Sequence, residues 1–253
     1  MIFTQYIQNL RSILDRIAVE QAENISRAGS LIADSLGRGG LIHTFGTGHS
    51  HLIAEDAFFR AGGIAAVNPI LDERFLFLNG ALESTRAERE TGIAGRLIAR
   101  EKIGQDDVAI IISNSGRNAV PVEMALGFKA LGVPVIAITS VEQSSTSPPR
   151  HSSGKRLFEI ADVVIDNCVP AGDALVKIEG IDSRTGPSST VAGSAIIHSI
   201  VIQALSELAG RGIGPSVLPS ANLQNTGAEM LREILRPFAG RIRLLDIATE
   251  IDE

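Results

Sequence analysis

The 253-residue chain is 44% hydrophobic and 21% charged with 25 glycines, which excludes disordered and fibrous classes and suits one α/β core, two domains being the upper bound. A formal charge of −6 and a pI near 5.5 exclude nucleic-acid binding by counterion release, which needs a basic face. An anionic ligand has to be held locally, by backbone N–H groups, hydroxyls and helix dipoles.

In chain order, residues 1–10 lack a basic segment followed by an apolar stretch, and no run of about 18 apolar residues follows, so neither secretion nor membrane spanning is predicted and a cytoplasmic protein is expected. Phe3, Tyr6, Leu10, Ile13, Leu14 and Ile17 recur at helical spacing. They predict one or two amphipathic helices over 3–36, stopped by Gly37, Gly39 and Gly40. Apolar runs at 41–45, 65–67, 108–112, 135–138 and 163–165 read as strands, separated by helical patterns over 50–61, 81–102 and 120–131. That alternation predicts a doubly wound, mostly parallel five-stranded sheet with helices on both faces and helical extensions at each end.

The polar, proline-rich stretch 143–154 reads as a mobile surface loop near the site. Cys168, the single cysteine, has no disulfide or zinc partner and reads as a small buried residue at a strand end. Residues 175–178 predict an extra strand. The helix over 191–208 is apolar almost all round, which places it at the centre of the fold or between subunits. An irregular segment, 212–225, precedes a short helix over 228–235 that ends near Pro237. The whole reads as a single domain with N-terminal helices (1–36), an α/β core (37–210) and a C-terminal extension (211–253).

Two strand-to-helix turns carry the chemistry. In the first, Gly46-Thr47-Gly48-His49-Ser50, the glycines permit close backbone approach and Ser50 opens a helix whose free N–H groups attract anions. A dinucleotide fingerprint requires a third glycine at position 51, which is His51, so a nicotinamide site is disfavoured. The second turn, Ser113-Asn114-Ser115-Gly116-Arg117-Asn118, again ends an apolar strand. Each turn alone is also explained by helix capping, with Ser115 or Asn118 as the cap. Adjacent parallel strands would bring both to one crevice at the carboxyl ends of the sheet.

The pair of turns, each followed by a crossover helix, resembles the sugar isomerase (SIS) domain over roughly residues 30–210, and within that superfamily it is most similar to phosphoheptose isomerase-like proteins. The resemblance implies binding of a sugar phosphate through Ser50, Ser113, Asn114, Ser115 and Asn118, with Thr47, Gly48 and Gly116 shaping the turns. Asn118 stands where the family usually has Ser or Thr, and its amide can still donate to a phosphate oxygen. The implied activity is aldose–ketose isomerisation, with a non-catalytic phosphosugar sensor or a sugar-phosphate etherase as alternatives. No cofactor, metal, nucleic acid or membrane partner is implied. A homodimer or homotetramer is, because the family buries helices like 191–208 between subunits.

Isomerisation needs a base to move a proton between adjacent carbons. His51 and Glu55 lie i, i+4 on one helix face, as a proton-transfer pair, as two metal ligands, or as a surface pair contributing about 0.3 kcal/mol. Phosphoheptose isomerases place a functional His and Glu six and ten residues after the serine, positions occupied here by Asp56 and Arg60, so that pair does not transfer. Glu83 is singled out as a base from the charged stretch 83–90, the rest of which reads as a solvated helix face. His198, in the apolar helix opened by Ser188, Ser189 and Thr190, reads as a buried histidine with a local partner. His43 reads as a core histidine and His151 as a solvated one. Ser220 and Asn222 would close over a ligand from the irregular segment.

Overall fold

A computed structural model of the protein describes residues 1–220, 222 and 228–246. At its centre is a parallel sheet of β1 (Ile42–Gly46), β2 (Val67–Pro69), β3 (Val108–Ile112), β4 (Val135–Thr139) and β5 (Val163–Asp166), ordered β2-β1-β3-β4-β5. Every residue of β1, β3 and β4 is buried, as expected of strands covered on both faces. Their Ile- and Val-rich runs suit the pleat.

The period-2 alternation of the strands divides the core. Ile42, Ile110, Ile112, Ile136 and Ile138 pack on one side. There they meet α2 (Ala22–Gly37), α3 (Ser50–Asp56) and α8 (Ser189–Gly210) through Ile32, Ile53, Ile197 and Ile200. Phe45, Ala109, Ile111, Val135 and Ala137 pack on the other side, against α5 (Ile93–Ala99) and α6 (Ala119–Ala130) through Leu97, Met124 and Phe128. The chain leaves β1 toward one face and β3 toward the other, so the strand order reverses between them. That reversal opens a crevice beyond their carboxyl ends.

The helices outside the crossovers follow the amphipathic pattern with one break. α1 (Ile2–Glu20) and α2 are separated at Gln21. α2 lies close on α8: a Cβ at Gly29 would stand 2.5 Å from Gln203 Cγ. Among the described residues α8 is long and apolar enough to cross a membrane by length and composition, yet it serves as a central helix here, with 44% of its most apolar window buried. Its outer stripe leaves Val191 and Ile202 exposed. Cys168 is buried just beyond β5, as the sequence suggests, and burial pushes its thiol up to about 11.

Two helix expectations are corrected, the extra strand is present, and the proline-rich stretch is partly helical. The helix over 81–102 is broken into α4 (Ala81–Ala87) and α5, because Gly92 takes φ +78° and donates its N–H to the Glu123 carboxylate at 2.8 Å. The helix after the first turn stops at Asp56 rather than 61, with Phe59 and Gly62 at positive φ. The strand at 175–178 is one arm of an antiparallel hairpin, β6 (Ala174–Val176) and β7 (Thr185–Pro187). The proline-rich stretch begins as α7 (Val141–Ser145) and is then pinned, with Arg150 N donating to the Arg117 carbonyl at 3.1 Å. The predicted helix over 228–235 is present as α9 (Ala228–Leu235). In the segment before it, Ala65 N donates to Ser216 O and Leu218 N to Gly63 O, beside β2. Positions 221, 223–227 and 247–253 lie outside the described residues.

Candidate functional site

The two turns begin at the same height in the sheet, because Gly46 of β1 is in register with Ile112 of β3. Gly46 has to be glycine: a Cβ there would sit 2.4 Å from the Ser50 carbonyl oxygen, so the first turn of α3 folds directly onto the strand end. Gly48 takes φ +56°, in the left-handed region. In the second turn Gly116 takes φ +58° and donates its N–H to Ser113 Oγ at 3.2 Å. Its missing side chain leaves room for the Ser144 and Thr139 hydroxyls.

Between the turns lies a cleft of about 360 Å³ lined by Thr47, Gly48, Ser50, Ser113, Asn114, Ser115 and Asn118, with Glu88, Gln143, Asp173 and Ser189 around them. Seven of the eight residues expected at the phosphate thus share one cavity, and Gly116 lies under it. The hydroxyls of Ser50 and Ser115 have no partner among the described residues. Asn114 is held from both sides, donating to Gln143 Oε1 at 2.8 Å and accepting from Asn167 Nδ2 at 2.8 Å. Among the described residues no lysine or arginine lines the cleft, so an anion there meets hydroxyls, turn amides and the N-terminus of the 12-residue α6.

Asn118 is the N-cap residue of α6, but its side chain makes no capping hydrogen bond. Its Nδ2 donates to Glu88 Oε1 at 2.7 Å, its Oδ1 accepts from Arg150 Nη1 at 2.8 Å, and Thr47 Oγ1 donates to Glu88 Oε2 at 3.0 Å. Glu88 therefore stands in the cleft wall between the two turns. Burial raises its pKa above the ordinary 4.5, against the lowering effects of the Thr47 hydrogen bond and the Arg89 and Arg150 charges. Asp173, at φ +64°, enters from the hairpin and caps α8 from outside, accepting from Ser188 N at 2.9 Å and from Ser189 N and Oγ at 2.7 Å. At the cleft mouth the ring of His49 lies 4.7 Å from that of Phe77.

The residues singled out for proton transfer stand elsewhere. His51 is buried and its Nδ1 donates to the Gly48 carbonyl oxygen, bracing the first turn from behind. Glu55 is exposed on α3, and Glu83 is an exposed partner of Arg86 at 3.2 Å. None of the three lines the cleft. His198 is half-buried and donates to Asp56 Oδ2 at 2.9 Å, while Arg60 bonds the other Asp56 oxygen. His43 is a core histidine, its Nε2 donating to Asp107 at 2.9 Å. His151 is drawn to Glu123 at 3.5 Å rather than left in water. Ser220 and Asn222 bond each other weakly, Asn222 N to Ser220 Oγ at 3.4 Å, away from the cleft lining.

Glu88, Asp173, Gln143, Ser189 and His49 are cleft residues that sequence reasoning missed. A continuous helix over 81–102 makes Glu88 one charge among several on a wet face. The signal that would have separated it is Gly92, four residues on, whose left-handed backbone starts a new helix and rules out a continuous one.

The SIS domain family model matches residues 5–140, more than half of the chain. The chain belongs to the SIS domain family. It is 39% identical over 241 residues to a UPF0309 protein of Geobacillus thermodenitrificans, covering 95% of this chain and 96% of that one. A UPF0309 protein of Listeria innocua is likewise 39% identical over 240 residues, covering 95% and 97%. Among solved structures, phosphoheptose isomerase GmhA from Neisseria gonorrhoeae superposes with a TM-score of 0.50 at 17% identity, over 81% of this chain and 95% of that one. The Vibrio vulnificus NanR protein complexed with ManNAc-6P does so with a TM-score of 0.51 at 15% identity, over 84% and 65%. At those identities the structural likeness establishes the SIS fold.

Proposed function

We propose that this SIS domain protein binds a phosphorylated sugar in the cleft, with the phosphate at Ser50, Ser113 and Ser115, and isomerises it by proton transfer through Glu88. The observation that carries the reading is the joint placement of two glycine–serine turns with a desolvated carboxylate between them. The phosphate finds free hydroxyls and α6 amides, while the sugar carbons extend along the wall that Glu88 occupies. A carboxylate whose pKa is raised toward the working pH is a better proton carrier than an exposed one. Each Glu88 oxygen already accepts one hydrogen bond and has a lone pair left for a substrate C–H or O–H. A proton-carrying role thus passes to Glu88 in place of His51, Glu55 and Glu83.

The same fold serves a named isomerase and a protein complexed with ManNAc-6P, and the bonds that fix Glu88 also suit a sensor that binds without turnover. Deuterium exchange separates the readings. Hexose, heptose and amino-sugar phosphates incubated in heavy water are followed by NMR at the carbons beside the carbonyl. The isomerase reading expects exchange with the wild type and a loss of about a hundredfold or more in Glu88→Gln, with phosphosugar affinity retained. Activity is expected to fall on acidification through a value above 4.5, because the deprotonated form is the base. Binding without exchange supports the sensor; absence of binding by every sugar phosphate overturns both.

A further inference from the structure

Three arginines gather beside Glu88 and Asn118, outside the cleft lining itself. Arg89 follows Glu88, Arg117 precedes Asn118, and Arg150 reaches Asn118 from the proline-rich segment. Several arginines elsewhere are matched to acids: Arg74 and Arg100 to Asp72, Arg156 to Glu159, Arg241 to Asp107. Here the pairing fails. Glu88 is bonded by Thr47 and Asn118 rather than by a guanidinium, and Arg150 is bonded to an amide oxygen. The side chains of Arg89 and Arg117 have no hydrogen-bond or ion-pair partner among the described residues. Arg117 Nε is moreover buried with no acceptor.

Among the described residues Glu88 is the one carboxylate acting on this cluster, so three guanidiniums around it leave a local excess of positive charge that attracts anions. Burial first, then repulsion by Arg117 and Arg89, lowers the Arg150 pKa against the raising effect of Glu88, so the three cations act on one another beyond what that carboxylate offsets. The main chain enforces the gathering, since Arg150 N donates to the Arg117 carbonyl at 3.1 Å.

We propose that Arg89, Arg117 and Arg150 form a second anion subsite adjoining the serine turns, and that the ligand is a phosphosugar bearing a second oxyanion, a carboxylate or a second phosphate. This rests on the phosphosugar reading and narrows its substrate class. The turns grip the phosphate through neutral donors. The guanidiniums, as planar forks, take the other oxyanion across Glu88, where a sugar carbon is presented to the base.

Calorimetric titration tests this with four probes: glucose 6-phosphate, 6-phosphogluconate, glucose 1,6-bisphosphate and inorganic phosphate. The expected result is that 6-phosphogluconate or the bisphosphate binds about tenfold or more tighter than glucose 6-phosphate. The stronger of the two identifies the second group. That gain is expected to disappear in Arg117→Gln and in Arg89→Gln, the latter at an exposed position that spares the fold, while glucose 6-phosphate affinity is unchanged. Equal affinity for glucose 6-phosphate and both acidic probes overturns the subsite and leaves the phosphosugar reading standing, as does a gain that survives both substitutions. Binding of inorganic phosphate alone, or of no probe, overturns both.

Discussion

Replacing Asp107 by Asn isolates an electrostatic contribution that the structure specifies closely. Asp107 lies just before β3 with its side chain out of solvent, and its carboxylate accepts from Leu41 N at 2.8 Å, Gly104 N at 2.6 Å, His43 Nε2 at 2.9 Å and Arg241 Nη2 at 2.8 Å. Burial alone would raise its pKa; the donors from His43, Gly104, Arg241 and Leu41 outweigh it and hold the pKa at about 2, against an ordinary 3.8. That difference corresponds to about 2 kcal/mol of stability. Because the folded value is the lower, the contribution is complete above the unfolded pKa of 3.8 and is lost as pH falls through about 2. Urea unfolding of wild type and Asp107→Asn, followed by far-UV circular dichroism from about pH 6 to about pH 2.5, reads the effect. The amide also turns a donor toward donors, so an offset between the two proteins remains at every pH. The prediction concerns its change: the stability gap is constant near neutrality and shrinks by most of about 2 kcal/mol below about pH 4. A gap that stays constant across the acid range would refute the assignment of Asp107 as a buried anion.

Two further outcomes follow from the cleft and the outer face. Ser115→Ala removes a hydroxyl with no partner among the described residues, so it is expected to leave the melting temperature unchanged while weakening sugar-phosphate binding about tenfold in calorimetry. The exposed Ile202, with Val191 on the same helix and Leu52 on α3, supports a homo-oligomer that covers this face. Light scattering is expected to give a dimer or tetramer for the wild type and a smaller species for Ile202→Asp; a monomeric wild type would sink the proposal.

The sheet was legible because its signals are local: apolar β-branched runs, helical spacing between them, and glycines where a chain must turn. The same holds for the two turns, whose glycines and serines are adjacent in sequence. The proton-transfer residues were not legible in this way. Helical spacing points to His51 and Glu55 and a helix start points to Glu83, yet neither says which face turns inward, and the break between Ala87 and Ile93 rearranges the second of these helices.

Local residue patterns account for the architecture and the two strand-to-helix turns, and they lead to the expectation that an anion in this acidic chain is held by backbone and hydroxyl groups. Only the tertiary structure decided which carboxylates enter the cleft. Glu88 depends on Thr47, 41 residues away, and on Asn118, 30 residues away. Asp173 depends on a hairpin that turns it onto the start of α8. Burial raises the Glu88 pKa and leaves the Arg117 Nε without an acceptor among the described residues. Desolvation of this kind belongs to no single segment; it arises when distant segments close around a group and remove its water.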